Sequence, residues 1–488
     1  MSDKKIVAVY DFRSKQEYIY RTNRVKEIIG ASEIIKNAYQ NAIENYNEER
    51  KKEIYEEEPF SMNEFSDSDA EYAKLYEGGG NIVMMFKSQE GFIAFNNFFS
   101  MWLIKNAPGL SLICGSYEFD NIVVTMFTEV TKKVFADLSK YKRSAPQIVN
   151  ADVLPFTQID FQTSLPVIKK NTYEQESLSA ESVAKLTAYD AINADSNMNR
   201  YVQSFDTLVQ KKGTESLLAI IYIDGNGMGK RVANEIPNNT LFEEGIKKQR
   251  AFTEMIDDAF VKNTIDAIEN KVGATNENRK TNKAEVLAMR RVIGGGDEIT
   301  IVCNAREALN VIKVYFKSLA ETSKKQSRMY SACAGVAICH SHAPFSVVYE
   351  IAEQCCESGK KRIKALGHTA DDNCYFDAFF CHSAITADME SLRKEQVSNC
   401  TKMPYCITGI DTEHSFSEFD RVAKDLRKIN RTNVKALRDA AFRSSTDFVL
   451  ELKRTASNCK YELKLLPDDR PIVCDVAEFY DIWFGEGR

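Results

Sequence analysis

Residues 292–302 read VIGGGDEITIV. Three glycines are followed at once by two carboxylates, Asp297 and Glu298, with apolar residues on both sides. Apolar runs flanking a glycine-rich turn read as the two strands of a hairpin. A surface hairpin needs only one Asn-Gly or Asp-Gly pair, so the additional glycine and the paired acids ask for another reason. Upstream, SLLAIIYIDGNGMGK (216–230) is a buried-strand run that ends in Asp224. If that strand pairs with the hairpin, Asp224, Asp297 and Glu298 converge at one sheet edge. Three carboxylates in one place repel, and ionising all of them becomes costly.

A divalent cation removes that repulsion. Mg²⁺ or Mn²⁺ takes oxygen ligands and typically shares a few carboxylates with substrate phosphates. Two such ions can activate a hydroxyl and stabilise a leaving pyrophosphate. Asp224, Asp297 and Glu298 are therefore the candidate catalytic residues and ligands of a two-metal site. Glycine lets the backbone come close to a triphosphate because it has no Cβ. Gly225, Asn226 and Gly227 on the strand side, with Gly294, Gly295 and Gly296 on the hairpin, are candidate nucleotide-binding positions. Lys360, Lys361 and Arg362 follow a helix expected over 346–359. Such cations either complement the helix dipole or clamp a triphosphate tail, and Lys230 is a weaker candidate of the second kind.

The same order of elements occurs earlier in the chain. KIVAVYDF (5–12) is an apolar strand ending in Asp11, and EGGGNIVMMF (77–86) is a glycine hairpin. Asp11 and Gly79 are 68 residues apart; Asp224 and Gly295 are 71 apart. A third strand follows each hairpin, GLSLICGSYEF (109–119) and SACAGVAICHS (331–341). The recurrence predicts two related α/β domains. In the first, the hairpin reads Gly78-Gly79-Gly80-Asn81, so the acids are gone although Asp11 remains. That domain is expected to keep the shape without the metal chemistry. Arg21, Arg24 and Lys26 read as a solvated helix face, and a helix beyond Val25 is expected to be interrupted near Gly30.

The chain has 488 residues and a formal net charge of −6, so no global field draws it to nucleic acid. Its twelve cysteines form no CxxC pair, which fits a reducing compartment and argues against a structural zinc site. The N-terminal apolar run is too short for a signal peptide, and no stretch is long enough to span a membrane. A cytoplasmic protein is expected. The five histidines offer no catalytic base; His340 and His342 read as strand-end surface residues. TNENRKTNK (275–283) reads as a polar loop, SLSAESVAKLTAYDAI (177–192) as a helix, and NRTNVKALRDAAFRSSTDFVLELKR (430–454) as one amphipathic stretch in a mainly helical tail.

These residues carry a resemblance to a known family. YDFRSKQEYIYRTNRVKEIIGASEII (10–35), YIDGNGMGK (222–230) and GGDE (295–298) resemble the large palm-domain subunit of type III CRISPR effector complexes. Ser177, Ala180 and Lys185 resemble that family's segment between palms, and the likeness covers about residues 5–370. It implies an α+β fold: two ferredoxin-like palm domains, a helical connector and a C-terminal helical domain. The expected boundaries are 1–141, 142–213, 214–375 and 376–488. It implies a nucleotidyltransferase that joins ATP into cyclic or linear oligoadenylate and releases pyrophosphate, with Asp224 and Asp297 on the metals. Glu298 stands where the family usually has a second Asp. The sequence begins at the palm without a His-Asp nuclease motif, and the connector at 142–175 has no cysteine for the family's zinc element. A trimmed relative is expected, acting with RNA-guided effector subunits or as a homo-oligomer.

Other functions remain open at this point. A diguanylate-cyclase-type enzyme shares Gly-Gly-Asp-Glu, but Ile299 stands where that signature has Phe. A non-catalytic nucleotide-binding or assembly subunit, and an enzyme conjugating ATP to another small molecule, also fit the residues.

Overall fold

A computed structural model of the chain describes residues 4–144, 156–171, 176–194, 208, 216–272, 289–367, 371–382, 388–397, 400–459 and 462–485. The polar loop expected at 275–283 lies outside these residues. The chain divides into two compact units, Met1–Asn199 with Gly227–Asp258, and Arg200–Asn226 with Ala259–Arg488.

The first unit holds strands β1 (Lys5–Arg13), β2 (Ile54–Tyr55), β3 (Tyr72–Gly78), β4 (Asn81–Phe86) and β5 (Ser111–Phe119), in sheet order β2-β3-β4-β1-β5. β1 is buried over almost its whole length, as its unbroken apolar run predicts for a central strand. Helices α1 (Lys15–Tyr20), α2 (Val25–Arg50), α3 (Met62–Asp67), α4 (Gln89–Asn106) and α5 (Phe127–Ser144) join and cover these strands. A two-stranded ribbon, β6 (Val167–Asn171) and β7 (Glu176–Ser179), leads into α6 (Ala180–Ala194).

α2 is not interrupted at Gly30. It runs unbroken for 26 residues, because Gly30 serves close packing against α6. A Cβ there would lie 1.8 Å from the Lys185 carbonyl oxygen. Lys185 itself is wholly buried; its Nζ donates to Glu181 at 2.7 Å and to the Tyr18 carbonyl at 2.5 Å. Arg21 reaches the buried Glu181 at 2.8 Å, and Arg24 reaches the buried Glu27 at 2.9 Å. These arginines therefore neutralise interior carboxylates, and of the three cations expected on a solvated face only Lys26 is exposed.

The second unit contains β8 (Leu217–Gly225). The chain then passes through α7 (Met228–Glu235) and α8 (Phe242–Asp257), which belong to the first unit, where Arg250 donates to the carbonyls of Leu75 and Lys74 at 2.6 and 2.7 Å. It returns through α9 (Asn263–Val272), β9 (Met289–Gly295), β10 (Glu298–Asn304), α10 (Ala308–Gln326), β11 (Ala332–His340) and α11 (Phe345–Leu366). With β12 (Cys374–Phe380) and β13 (Tyr405–Thr408), the sheet order is β13-β12-β11-β8-β10-β9. Its stretch β9-β10-β8-β11 repeats β3-β4-β1-β5 strand for strand, which is the ferredoxin-like arrangement expected of both halves.

The repeat extends to registers. Val9 lies opposite Gly115, and Tyr222 opposite Gly335. Both glycines admit the helix that follows their strand: a Cβ would sit 2.3 Å from the Leu138 nitrogen of α5, or 1.9 Å from the Ala352 oxygen of α11. Ser14 and Gly227, each three residues past its half's acid, both take left-handed backbone angles and start a helix.

The tail is mainly helical, as expected, but it also lends strands to the sheet. β12 (Cys374–Phe380) adds parallel to β11, and β13 (Tyr405–Thr408) pairs antiparallel with β12. Helices α12 (Met389–Val397), α13 (Phe416–Leu426), α14 (Arg431–Arg443), α15 (Ser445–Asn458) and α16 (Arg470–Glu478) complete the unit. The amphipathic stretch at 430–454 is two helices, because Ser444 leaves the helical region and caps the second through Asp447 N at 3.0 Å.

Candidate functional site

Strand β8 delivers Asp224 near its end, and the β9–β10 hairpin brings the other acids alongside. Glu298 is the register partner of Asp224. Asp297 occupies the turn itself, after Gly296 at φ +64°, and its carbonyl accepts from Gly225 N at 3.2 Å. The three carboxylates thus stand at one end of the sheet. Burial and the neighbouring Asp224 push the Asp297 carboxyl up to about 7. Lys360 of α11 makes an ion pair with Asp224. Burial lowers the Lys360 ammonium, but the Asp224 carboxylate outweighs it and the net direction is upward.

A Cβ added at Gly295 or Gly296 would meet nothing within 4 Å, so open space faces the backbone of the hairpin tip. Gly294 differs: a Cβ there would press on the Arg291 side chain at 2.8 Å. Gly225 and Asn226 are buried, and the Asn226 amide donates to the Asn373 carbonyl at 2.9 Å. Gly227, at φ +67°, and Lys230 are exposed at the start of α7. α11 continues to Leu366, so Lys360, Lys361 and Arg362 lie within the helix and do not cap its end. Lys361 is exposed, while Arg362 is turned to Asp411 at 2.9 Å and Glu413 at 2.9 Å. His340 and His342 lie at the end of β11 and past it, and among the described residues no group of three His, Cys, Asp or Glu is arranged to hold a metal.

Sequence reasoning missed Tyr315. It is fully buried on α10, its hydroxyl has no hydrogen-bond partner, and Asp297 and Asp224 help raise its ionisation well above the phenol range after burial, the main cause. Its position in an amphipathic helix gives no signal beyond that of a core residue.

Charge decides whether these residues suit a cation. Lys360 answers Asp224, and Asp297 is nonetheless driven toward its neutral form by burial and by that same neighbour. Crowded oxygen donors beside an open backbone fit a hard divalent ion such as Mg²⁺ or Mn²⁺, which would relieve that pressure.

A central strand and a glycine hairpin presenting acids, in a duplicated ferredoxin-like frame, define an α+β palm protein. Residues 217–366 match the family model "Cas10/Cmr2, second palm domain". That stretch of the chain is thus similar to the second palm domain of this family. Among solved structures the chain is similar to a Csm1–Csm4 cassette in complex with pppApA, at TM-score 0.56 and 12% identity, covering 98% of this chain and 70% of that one. Cassettes in complex with cA4 and with one ATP match at TM-scores 0.52 and 0.51, with 11% and 10% identity, over 98% and 97% of this chain and 70% of each of theirs. At such identity these likenesses carry the fold alone. No curated protein matches the chain. Among the described residues no helix is long and apolar enough to cross a membrane.

Proposed function

We propose that the second palm is a metal-dependent nucleotidyltransferase that converts ATP into cyclic or linear oligoadenylate. The observation that supports this reading is Asp297 beside Asp224, with Glu298 in register opposite Asp224, next to the open hairpin backbone of a Cas10-type palm. Asp224 and Asp297 would hold Mg²⁺ or Mn²⁺, with Glu298 beside them. When bound, the ions would supply Lewis-acid stabilisation of the phosphates and of the leaving pyrophosphate. The chain's own part is positional. Gly295 and Gly296 leave room for a phosphate tail against the backbone, and Lys360 can exchange its Asp224 partner for a phosphate oxygen. The fold relatives bound to ATP, pppApA and cA4 favour adenine nucleotides as substrate and a second subunit as partner.

The test is incubation of the protein with ATP, and separately with each other NTP, plus Mn²⁺ or Mg²⁺, with products resolved by mass spectrometry. Adenylate oligomers or rings are expected from the parent chain. Asp297→Asn, which keeps the shape and removes the charge, is expected to abolish them. Equal product from that variant would refute the reading.

A further inference from the structure

The two halves can be superposed position by position through their strand registers. Tyr10 pairs with Ile82 in the first half, and Ile223 with Ile299 in the second. Asn81 therefore stands where Glu298 stands, and Gly80 where Asp297 stands. The glycine runs are aligned one residue differently from what their spelling suggests: the turn is Gly79-Gly80 in one half and Gly296-Asp297 in the other. Asp11 is the counterpart of Asp224.

In the first half a side-chain ammonium joins these positions. Lys15 Nζ lies 2.6 Å from Asp11 Oδ1 and 2.7 Å from the Gly80 carbonyl oxygen. Lys142 of α5 pairs with the other oxygen of Asp11. Lys142 is four residues past Leu138 and Lys360 four past Cys356, and the backbone nitrogens of Leu138 and Cys356 lie 2.3 and 2.5 Å from the Cβ positions of Gly115 and Gly335. Lys142 and Lys360 are thus counterparts, and both halves keep this pair. Lys15 is what differs: its counterpart four residues past Asp224 is Met228. Lys15 also opens α1, where the helix dipole disfavours a cation, so Asp11 and Gly80 must hold it there. A Cβ on Gly80 would lie 2.5 Å from Lys15 Nζ, so the lysine would have to shift to admit a side chain at this turn.

We propose that the Lys15 ammonium is a tethered replacement for the divalent ion, filling the first palm's copy of the metal position and making that hairpin independent of metal. Lys15 then closes a latent oxygen site made of Asp11 and the Gly80 carbonyl, with Asn81 at the strand position that Glu298 holds in the second half. The proposal does not require the second palm to turn over nucleotide, because its readout sits on the first.

Hydrogen exchange of the full chain tests it, read on peptides covering residues 76–86 with and without Mn²⁺. In the parent chain this hairpin should exchange identically in both conditions. Lys15→Met, which installs the residue found at the counterpart position, should speed its exchange about tenfold, the effect of losing a charge-assisted contact. Mn²⁺ should restore protection, and at lower concentration in Lys15→Met/Asn81→Asp, which regains a second carboxylate. Lys15→Arg should exchange like the parent. A hairpin that Mn²⁺ protects in the parent overturns the proposal. So does a hairpin unchanged by Lys15→Met, or one loosened in both Met variants with no recovery on Mn²⁺.

Discussion

On the proposed reading Lys360 exchanges Asp224 for a phosphate, so its removal would separate metal binding from turnover. In Lys360→Met the acids lose a competing cation, so Mn²⁺ should bind at least as tightly as in the parent. Product formation should nevertheless fall about 10²-fold, the usual effect of losing one electrostatic donor to a charged transition state. Titration of Mn²⁺ by calorimetry beside the product assay checks both halves; undiminished turnover would remove Lys360 from the site. A second residue-scale effect concerns stability. Burial drives Asp475 up to about 6, although Tyr405 Oη at 2.6 Å and Lys402 N at 2.8 Å both donate to its Oδ2. A carboxyl raised in the folded state binds its proton more tightly there than in the unfolded chain. Its contribution therefore worsens as pH rises through the window from the ordinary carboxylate value to about 6, and improves as pH falls back through it. The two-unit rise corresponds to about 3 kcal/mol at neutral pH. Asp475→Asn keeps an acceptor for both donors without the charge. It should melt higher than the parent at pH 7.5, with the gap closing by pH 4; a gap independent of pH would discount the titration.

At the scale of elements, the two strand glycines make a matched pair of tests. Gly335→Ala puts a methyl 1.9 Å from the Ala352 carbonyl, a backbone atom that cannot turn aside. α11 must then move off the sheet, and α11 carries Lys360. Overpacking of this kind typically costs about 1–3 kcal/mol, so a lower melting temperature and lost activity should appear together. Gly115→Ala should lower stability similarly while leaving the second palm's Mn²⁺ affinity unchanged, which calorimetry on both variants would establish. The duplicated strands, the acid at the end of each and the triple-glycine hairpins were legible because buried strands and turns write themselves in local composition. The hairpin alignment was not: three glycines slide freely in a sequence, and only pairing of Tyr10 with Ile82 fixes them. Gly30 misled for a related reason, since its local propensity signals a break and its tertiary role is contact with α6. The Lys15–Asp11 pair was invisible because an i,i+4 spacing across a strand end and a helix start has no sequence signature.

For the molecule as a whole, the chain past residue 376 is structural to the second sheet and not an appended helical domain. β12 and β13 extend that sheet, and the tail packs back on them: Phe376 lies 6.1 Å from the Trp483 ring, and Tyr405 is bonded to Asp475. Trp483 Nε1 also donates to the Ala305 carbonyl at 3.0 Å, tying the short π-helix Tyr480–Phe484 to the segment that opens α10. Asp377 is wholly buried on β12 and is answered by Arg393 of α12 at 2.6 Å. A cut after Leu366 leaves β11 as an open edge strand, and an unpaired apolar edge invites association. A cut after Thr408 keeps both strands but strips Phe416, Phe419 and Trp483 from their faces. Each aromatic so removed withdraws about 2–3 kcal/mol of burial, more in sum than an ordinary domain can lose. Both truncations should therefore aggregate or unfold when purified, with the second palm's Mn²⁺ binding lost together with its native circular dichroism. A soluble fragment ending at Thr408 that still melts cooperatively and binds Mn²⁺ would show the tail to be a separate domain, and the sheet would then owe its stability to β1-like burial of β8 and β11 alone.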